Sequence, residues 1–133
     1  MTTVMTFGTF DGIHKGHEYY LQKAKEFGDF LVVVVARDET AQQVKGKLPT
    51  YREHQRLQHV QDLGIADCVV LGNPGDKLQV VVQHKPDVIC LGYDQRSFTD
   101  SLREKLQKRS LNPKIIRVAA FKPEIYKSSL LKS

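Results

Sequence analysis

The sequence predicts an α/β fold, a doubly wound and mostly parallel five-stranded sheet with helices on both faces, on three observations. Five apolar bursts of strand length punctuate the chain: TVMTF (3–7), FLVVVVA (30–36), DCVVL (67–71), DVICL (87–91) and KIIRVA (114–119). These bursts are β-branched and continuous rather than alternating, the pattern of strands covered on both faces. Amphipathic stretches of helical period lie between them, and a β-α-β-α-β order requires parallel strands joined by right-handed crossovers.

Each element follows in order. After the first strand, GHEYYLQKAKEFG (16–28) sets Tyr20, Leu21, Ala24 and Phe27 on one helical stripe and stops at Gly28, placed as a C-cap. After the second strand, KGKLP is expected to be a mobile loop. REHQRLQHVQDLG (52–64) repeats the amphipathic pattern with Leu57, Val60 and Leu63 ahead of Gly64. GNPGD (72–76) reads as a turn after the third strand. DKLQVVVQHKP (76–86) and SLREKLQKRS (101–110) supply the helices around the fourth strand.

Composition narrows the function classes. A chain of 133 residues with 41% hydrophobic content can bury one core, so residues 1–133 are expected to form a single domain. The net charge of +5 is scattered without a basic tract, which speaks against a nucleic-acid partner. Both cysteines, Cys68 and Cys90, sit inside apolar runs, and two are too few for a disulfide framework. With no apolar run of membrane-spanning length and no signal-peptide pattern at the start, a cytoplasmic protein without a membrane partner is expected.

The chemistry concentrates in GTFDGIHKGH (8–17), between the first strand and the first helix. In a doubly wound sheet, ligands bind beyond the carboxyl ends of the strands where strand order reverses, and the first such loop commonly lines that crevice. Gly8 permits close backbone approach there, and Gly16 admits the chain at the crowded helix start. Amides at that start, with the positive end of the helix dipole, are expected to attract a phosphate. His14 and His17, three apart, project from one face toward the same point. Two imidazoles there suit phosphoryl transfer, although caps, surface residues or half a metal site would show the same spacing. No second cluster of ligand spacing completes a metal cage. Neither G-x-G-x-x-G nor G-x-x-x-x-G-K-[ST] is present. The residues therefore leave phosphoryl transfer and nucleotide binding both open.

GTFDGIHKGH resembles the G-T-F-D-x-x-H-x-G-H signature of the cytidylyltransferase-like nucleotidyltransferase superfamily. LVVVVARDET, VKGKLPTYREHQR, VVLG, KPDVICLGYDQ and YKSSLL follow in the order that its small members show, so the resemblance covers nearly the whole chain. ARDET, LGYDQ and the length are most similar to archaeal-type FAD synthases, the FMN adenylyltransferases. Glycerol-3-phosphate cytidylyltransferase is the nearest rival, and its R-T-x-G-I-S-T-T form is missing here. A non-catalytic nucleotide-binding module is the reading from another class.

The resemblance implies a Rossmann-like fold and transfer of AMP from ATP to FMN, giving FAD and pyrophosphate, with a divalent ion such as Mg2+ accompanying the triphosphate. His14 and His17 would be catalytic, stabilising the α-phosphoryl group. Thr9 and Phe10 would contact the nucleotide through the loop backbone, Gly16 would let the phosphates approach, and Lys15 is a further nucleotide contact. Asp11 is expected to orient the loop, with bridging a metal ion as the minority reading. Asp94, Tyr126, Ser128 and Ser129 would bind the nucleotide and its outer phosphates. Lys45, Lys47 and Arg56 would contact phosphate or substrate, though solvated surface residues would look the same. A homodimer is expected, as small members usually are.

Overall fold

In the computed structural model, residues 1–73, 78–92 and 102–118 are described, apart from the side chains at positions 44 and 45. Five strands, β1 (Thr3–Gly8), β2 (Phe30–Val35), β3 (Cys68–Leu71), β4 (Val88–Gly92) and β5 (Lys114–Val118), match the five bursts to within two residues at each end. All of them pair in parallel, in the order β3-β2-β1-β4-β5. The expected doubly wound, Rossmann-like sheet is therefore present and wholly parallel.

Between the strands lie α1 (Lys15–Lys25), α2 (Asp38–Lys45), α3 (Glu53–Asp62), α4 (Gln79–His84) and α5 (Leu102–Gln107). Side chains alternate across the sheet within each continuous run. Leu31, Val33 and Val35 join Val4, Leu21 and Ala24 of α1 and Val60 of α3 on one face. Val32 and Val34 join Met5, Val80 and Val81 of α4 and Leu102 and Leu106 of α5 on the other. The chain winds outward one way with helices on one face, then the other way with helices on the opposite face, as a single crossover hand requires. The reversal falls between β1 and β4, which makes their carboxyl ends the crevice.

Three aspartates set the register. Asp29, Asp67 and Asp87 directly precede or nearly precede β2, β3 and β4, and their carboxylates accept the N–H groups of Thr2, Leu31 and Thr3 at 2.8, 2.8 and 2.9 Å. Each backbone N–H in turn donates to the Thr2, Leu31 or Thr3 carbonyl at 2.8, 3.0 and 2.9 Å. The first rung of three neighbouring ladders is thus closed twice.

Three local expectations change. Residues 38–45 form a helix of about two turns that was not expected and that takes in the first residue of the expected KGKLP loop; its first amide is capped from a distance, the Glu53 carboxylate accepting Asp38 N–H at 2.9 Å. Lys45 therefore ends α2 instead of lying on the expected loop. Gly28 is no left-handed cap: α1 ends at Lys25, and the glycine is demanded by packing, since a Cβ there would lie 2.6 Å from the Thr2 carbonyl oxygen. Phe27, past the helix end, leaves the apolar stripe and is 41% exposed. Gly64, by contrast, takes φ +70° after α3 and its N–H reaches the Gln61 carbonyl at 3.1 Å.

Candidate active site

β1 stops pairing with β4 at Thr6–Cys90 while its pairing with β2 runs on to Gly8–Val35. At this parting the Tyr20 hydroxyl of α1 donates to the Cys90 carbonyl at 2.9 Å, with the Phe7 carbonyl at 3.4 Å. One tyrosine so covers the backbone polarity exposed where the two central strands diverge. Sequence reasoning placed Tyr20 only on an apolar stripe, because nothing local marks where a ladder ends.

Beyond this floor runs the 8–17 loop. Phe10 adopts φ +55°, and its ring lies so close over Gly8 that a Cβ there would meet it at 2.7 Å. Gly8 is needed for that approach, and Phe10 is 3% exposed within the core. Its ring also supports His17, with centroids 5.5 Å apart.

The two histidines form a reciprocal cap. His14 stands at the N-cap of α1, and its Nδ1 accepts the Gly16 N–H at 3.0 Å. His17 Nδ1 accepts the His14 N–H at 3.2 Å. Their rings stack with centroids 4.0 Å apart and planes inclined by 34°. Because each Nδ1 offers its lone pair to a main-chain N–H, the proton of each neutral ring sits on Nε2. Both rings are thereby fixed as Nε2–H donors.

This arrangement replaces the expected cradle of helix-start amides. The N–H groups of His14 and Gly16 are spent on the two imidazoles, and those of His17 and Glu18 on the His14 carbonyl at 3.0 and 3.2 Å. The positive helix end instead polarises the imidazoles through N–H···Nδ1 bonds, and the rings present that polarity outward at Nε2. Gly16 also acquires a different reason: a Cβ would lie 2.8 Å from His14 Cε1 and 3.0 Å from Nδ1, so glycine makes room for the ring. Lys15 is exposed at the first position of α1.

Arg56 departs most from expectation. Instead of reaching substrate it is 0% exposed, and its guanidinium donates to the Tyr51 carbonyl at 2.9 Å, the Thr9 carbonyl at 2.8 Å and Asp38 Oδ1 at 2.8 Å. Asp38 is in turn linked through its N–H to Glu53, and Glu53 to Arg37 at 3.1 Å, while Arg37 Nε donates to the Gly72 carbonyl at 2.7 Å. The network ties the carboxyl ends of β1, β2 and β3 together. A buried arginine with these partners holds loops, and its charge is compensated by Asp38. The part played by Arg37, Asp38 and Glu53 was missed, since charged residues in ARDET and YREHQR look like a solvated face until tertiary structure brings them together around Arg56.

Asp11 orients the loop as expected. Its Oδ2 accepts Thr50 N–H at 2.8 Å and its Oδ1 accepts Tyr51 N–H at 2.9 Å. Lys47 is exposed on the segment between Gly46 and Thr50. The Lys45 side chain, Asp94, Tyr126, Ser128 and Ser129 lie outside the described residues. Among the described residues, no group of three His, Cys, Asp or Glu could hold a metal ion, and no helix is long and apolar enough to cross a membrane.

The Cytidylyltransferase-like family matches residues 5–133. A protein named FAD synthase from Thermoplasma volcanium is 42% identical over 129 residues, 97% of this chain and 90% of that protein. Another FAD synthase, from Thermococcus sibiricus, is 40% identical over 131 residues, 98% and 86% of the two chains. A crystal structure described as a lipopolysaccharide core biosynthesis protein from Thermoplasma volcanium superposes with a TM-score of 0.86 at 43% identity, covering 92% of this chain and 99% of that one. Similarity of this extent, over a sheet of this order with its histidine pair at the switch point, places the chain in the cytidylyltransferase-like family.

Proposed function

We propose that the chain is an FMN adenylyltransferase, moving AMP from ATP to FMN to give FAD and pyrophosphate, as the names of its relatives indicate. The observation that carries the chemistry is the reciprocal histidine cap, which aims two Nε2–H donors away from the start of α1. A phosphate oxygen of FMN attacks the α-phosphorus in line. One P–O bond forms, the bond to the β-phosphate oxygen breaks, and its electron pair leaves on pyrophosphate. His14 and His17 donate to the α-phosphoryl oxygens, whose charge is rearranged in the transition state, and no covalent enzyme intermediate is needed.

Around them, Thr9 and Phe10 would line the nucleotide with loop backbone, and Lys15 would add charge at the helix start. Lys45 and Lys47 would close over the triphosphate. Asp94, Tyr126, Ser128 and Ser129 would complete the nucleotide site. Arg56 serves by holding Thr9 in place. Mg2+ would enter on the triphosphate oxygens of ATP. We read residues 1–133 as one cytoplasmic domain acting as a homodimer. Light scattering that returns only the monomer mass would refute the dimer.

The decisive experiment offers the purified protein ATP or CTP, with Mg2+, against FMN or glycerol 3-phosphate. FAD from ATP and FMN is the expected product. CDP-glycerol from CTP would move the chain to the rival substrate class with the same residues, and binding of ATP without any product would point first to another acceptor and second to a non-catalytic module.

A further inference from the structure

We propose that Asp11 is a positioning residue that delivers Lys47 to the histidine pair, an inference that rests on the phosphate role given to Lys47 above. Both oxygens of one carboxylate are occupied by consecutive main-chain amides, Thr50 at 2.8 Å and Tyr51 at 2.9 Å, across sequence separations of 39 and 40. The join is made again from the other side, where Arg56 donates to the carbonyls of both Tyr51 and Thr9. Two loops remote in sequence are thus stitched in both directions.

The lysine segment is pinned at each end. Gly46 caps α2 at φ +81° with its N–H on the Gln42 carbonyl at 2.8 Å, and the Asp11 clamp begins at Thr50. Only Lys47, Leu48 and Pro49 lie between. Lys47 is three residues before one clamped amide, and His14 is three residues after Asp11, so each lies within at most ~11 Å of chain from the clamp. Lys47 and His14 are thus tethered to one clamp by three residues of chain each, and the flexible lysine stem extends its ammonium beyond that tether toward the phosphates the histidines hold. Cutting the clamp would leave residues 47–50 held less firmly, with Tyr51 still tied to Thr9 through Arg56, and the ammonium would pay more entropy to find the same place.

A metal ligand is the competing role for an aspartate in this loop. Both oxygens accept main-chain amides, which holds residues 50 and 51 in place with or without a metal, and the Mg2+ requirement of a variant separates the two roles.

The test is a double-mutant cycle of Asp11→Asn and Lys47→Ala in the full-length protein, with amide hydrogen exchange as a second readout. Asparagine can accept only one of the two amides, so exchange at Thr50 and Tyr51 should quicken while the melting temperature stays near that of the wild type. Asp11→Asn should lower kcat/KM for ATP by about tenfold in the wild-type background. In the Lys47→Ala background the same change should cost less than about twofold. Additive losses, unaltered exchange at Thr50 and Tyr51, or a Lys47→Ala variant of normal activity would each overturn the proposal. A raised Mg2+ requirement for Asp11→Asn in both backgrounds would overturn it in favour of metal binding. Failure of Lys47→Ala alone would remove the lysine's role, whereas additivity would leave that role standing and remove only the link to Asp11.

Discussion

Replacing Gly16 by alanine should separate the histidine geometry from the fold. The new methyl would meet the His14 ring at 2.8 Å, closer than carbon atoms tolerate. The obstructing atoms belong to a side chain at the protein surface, so the ring swings away and the backbone stays. That movement breaks the 3.0 Å bond from Gly16 N–H to Nδ1 and undoes the 4.0 Å stack on His17. Losing the cap costs about 0.5–2 kcal/mol, and alanine in place of glycine returns up to about 1 kcal/mol of helix propensity. Stability should therefore change by about 1 kcal/mol or less, a few degrees in melting temperature for a domain of this size. Activity should not be spared. One preorganised donor withdrawn from the α-phosphoryl group corresponds to about 10²- to 10³-fold in kcat, or roughly 2.7–4 kcal/mol. The assay is FAD formation at saturating ATP and FMN beside thermal unfolding of the same preparation. A variant that turns over within about threefold of the wild type would refute the claim that a capped His14 is part of catalysis.

Other consequences follow from the same contacts. His17→Ala should cost on the order of 10²- to 10³-fold in kcat and leave the chain folded, which circular dichroism and turnover together would check. Arg56→Ala should lower stability by about 3 kcal/mol, because it strips the network of its one fully buried donor and leaves Asp38 without its short ion pair; urea unfolding measures this. Burial pushes the Cys90 thiol up to about 12 from 9.0, so the folded protein keeps a proton there that the unfolded chain releases above pH 9. Stability contributed by the protonated thiol is present below pH 9 and is lost as pH climbs toward 12. A Cys90→Ala variant should therefore show a flatter stability profile across that window, and native Cys90 should resist alkylation until the protein unfolds.

Much of the fold was written locally. A run such as FLVVVV carries its own strand propensity and its own demand for cover on both faces, so five such runs yield five parallel strands within two residues of where they were expected. The i, i+3 spacing of His14 and His17 likewise holds the information that two imidazoles share one helix start, because an α-helical turn is a local object. Residues 37–51 were read less well, since α2 is short, lacks a side-chain cap of its own and borrows one from Glu53.

The sequence alone determined the strand order's ingredients, the helix stripes and the presence of a histidine pair beside the first strand, all consequences of periodicities that span a few residues. Tertiary structure decided what those residues do. Gly16 is glycine for the sake of His14, Gly28 for the sake of Thr2, and Arg56 is a buried staple rather than a surface contact. Asp11 reaches amides 39 and 40 residues away. Such roles depend on which distant groups arrive at hydrogen-bonding or van der Waals distance, and nothing in the neighbouring sequence of glycine, arginine or aspartate encodes that distance.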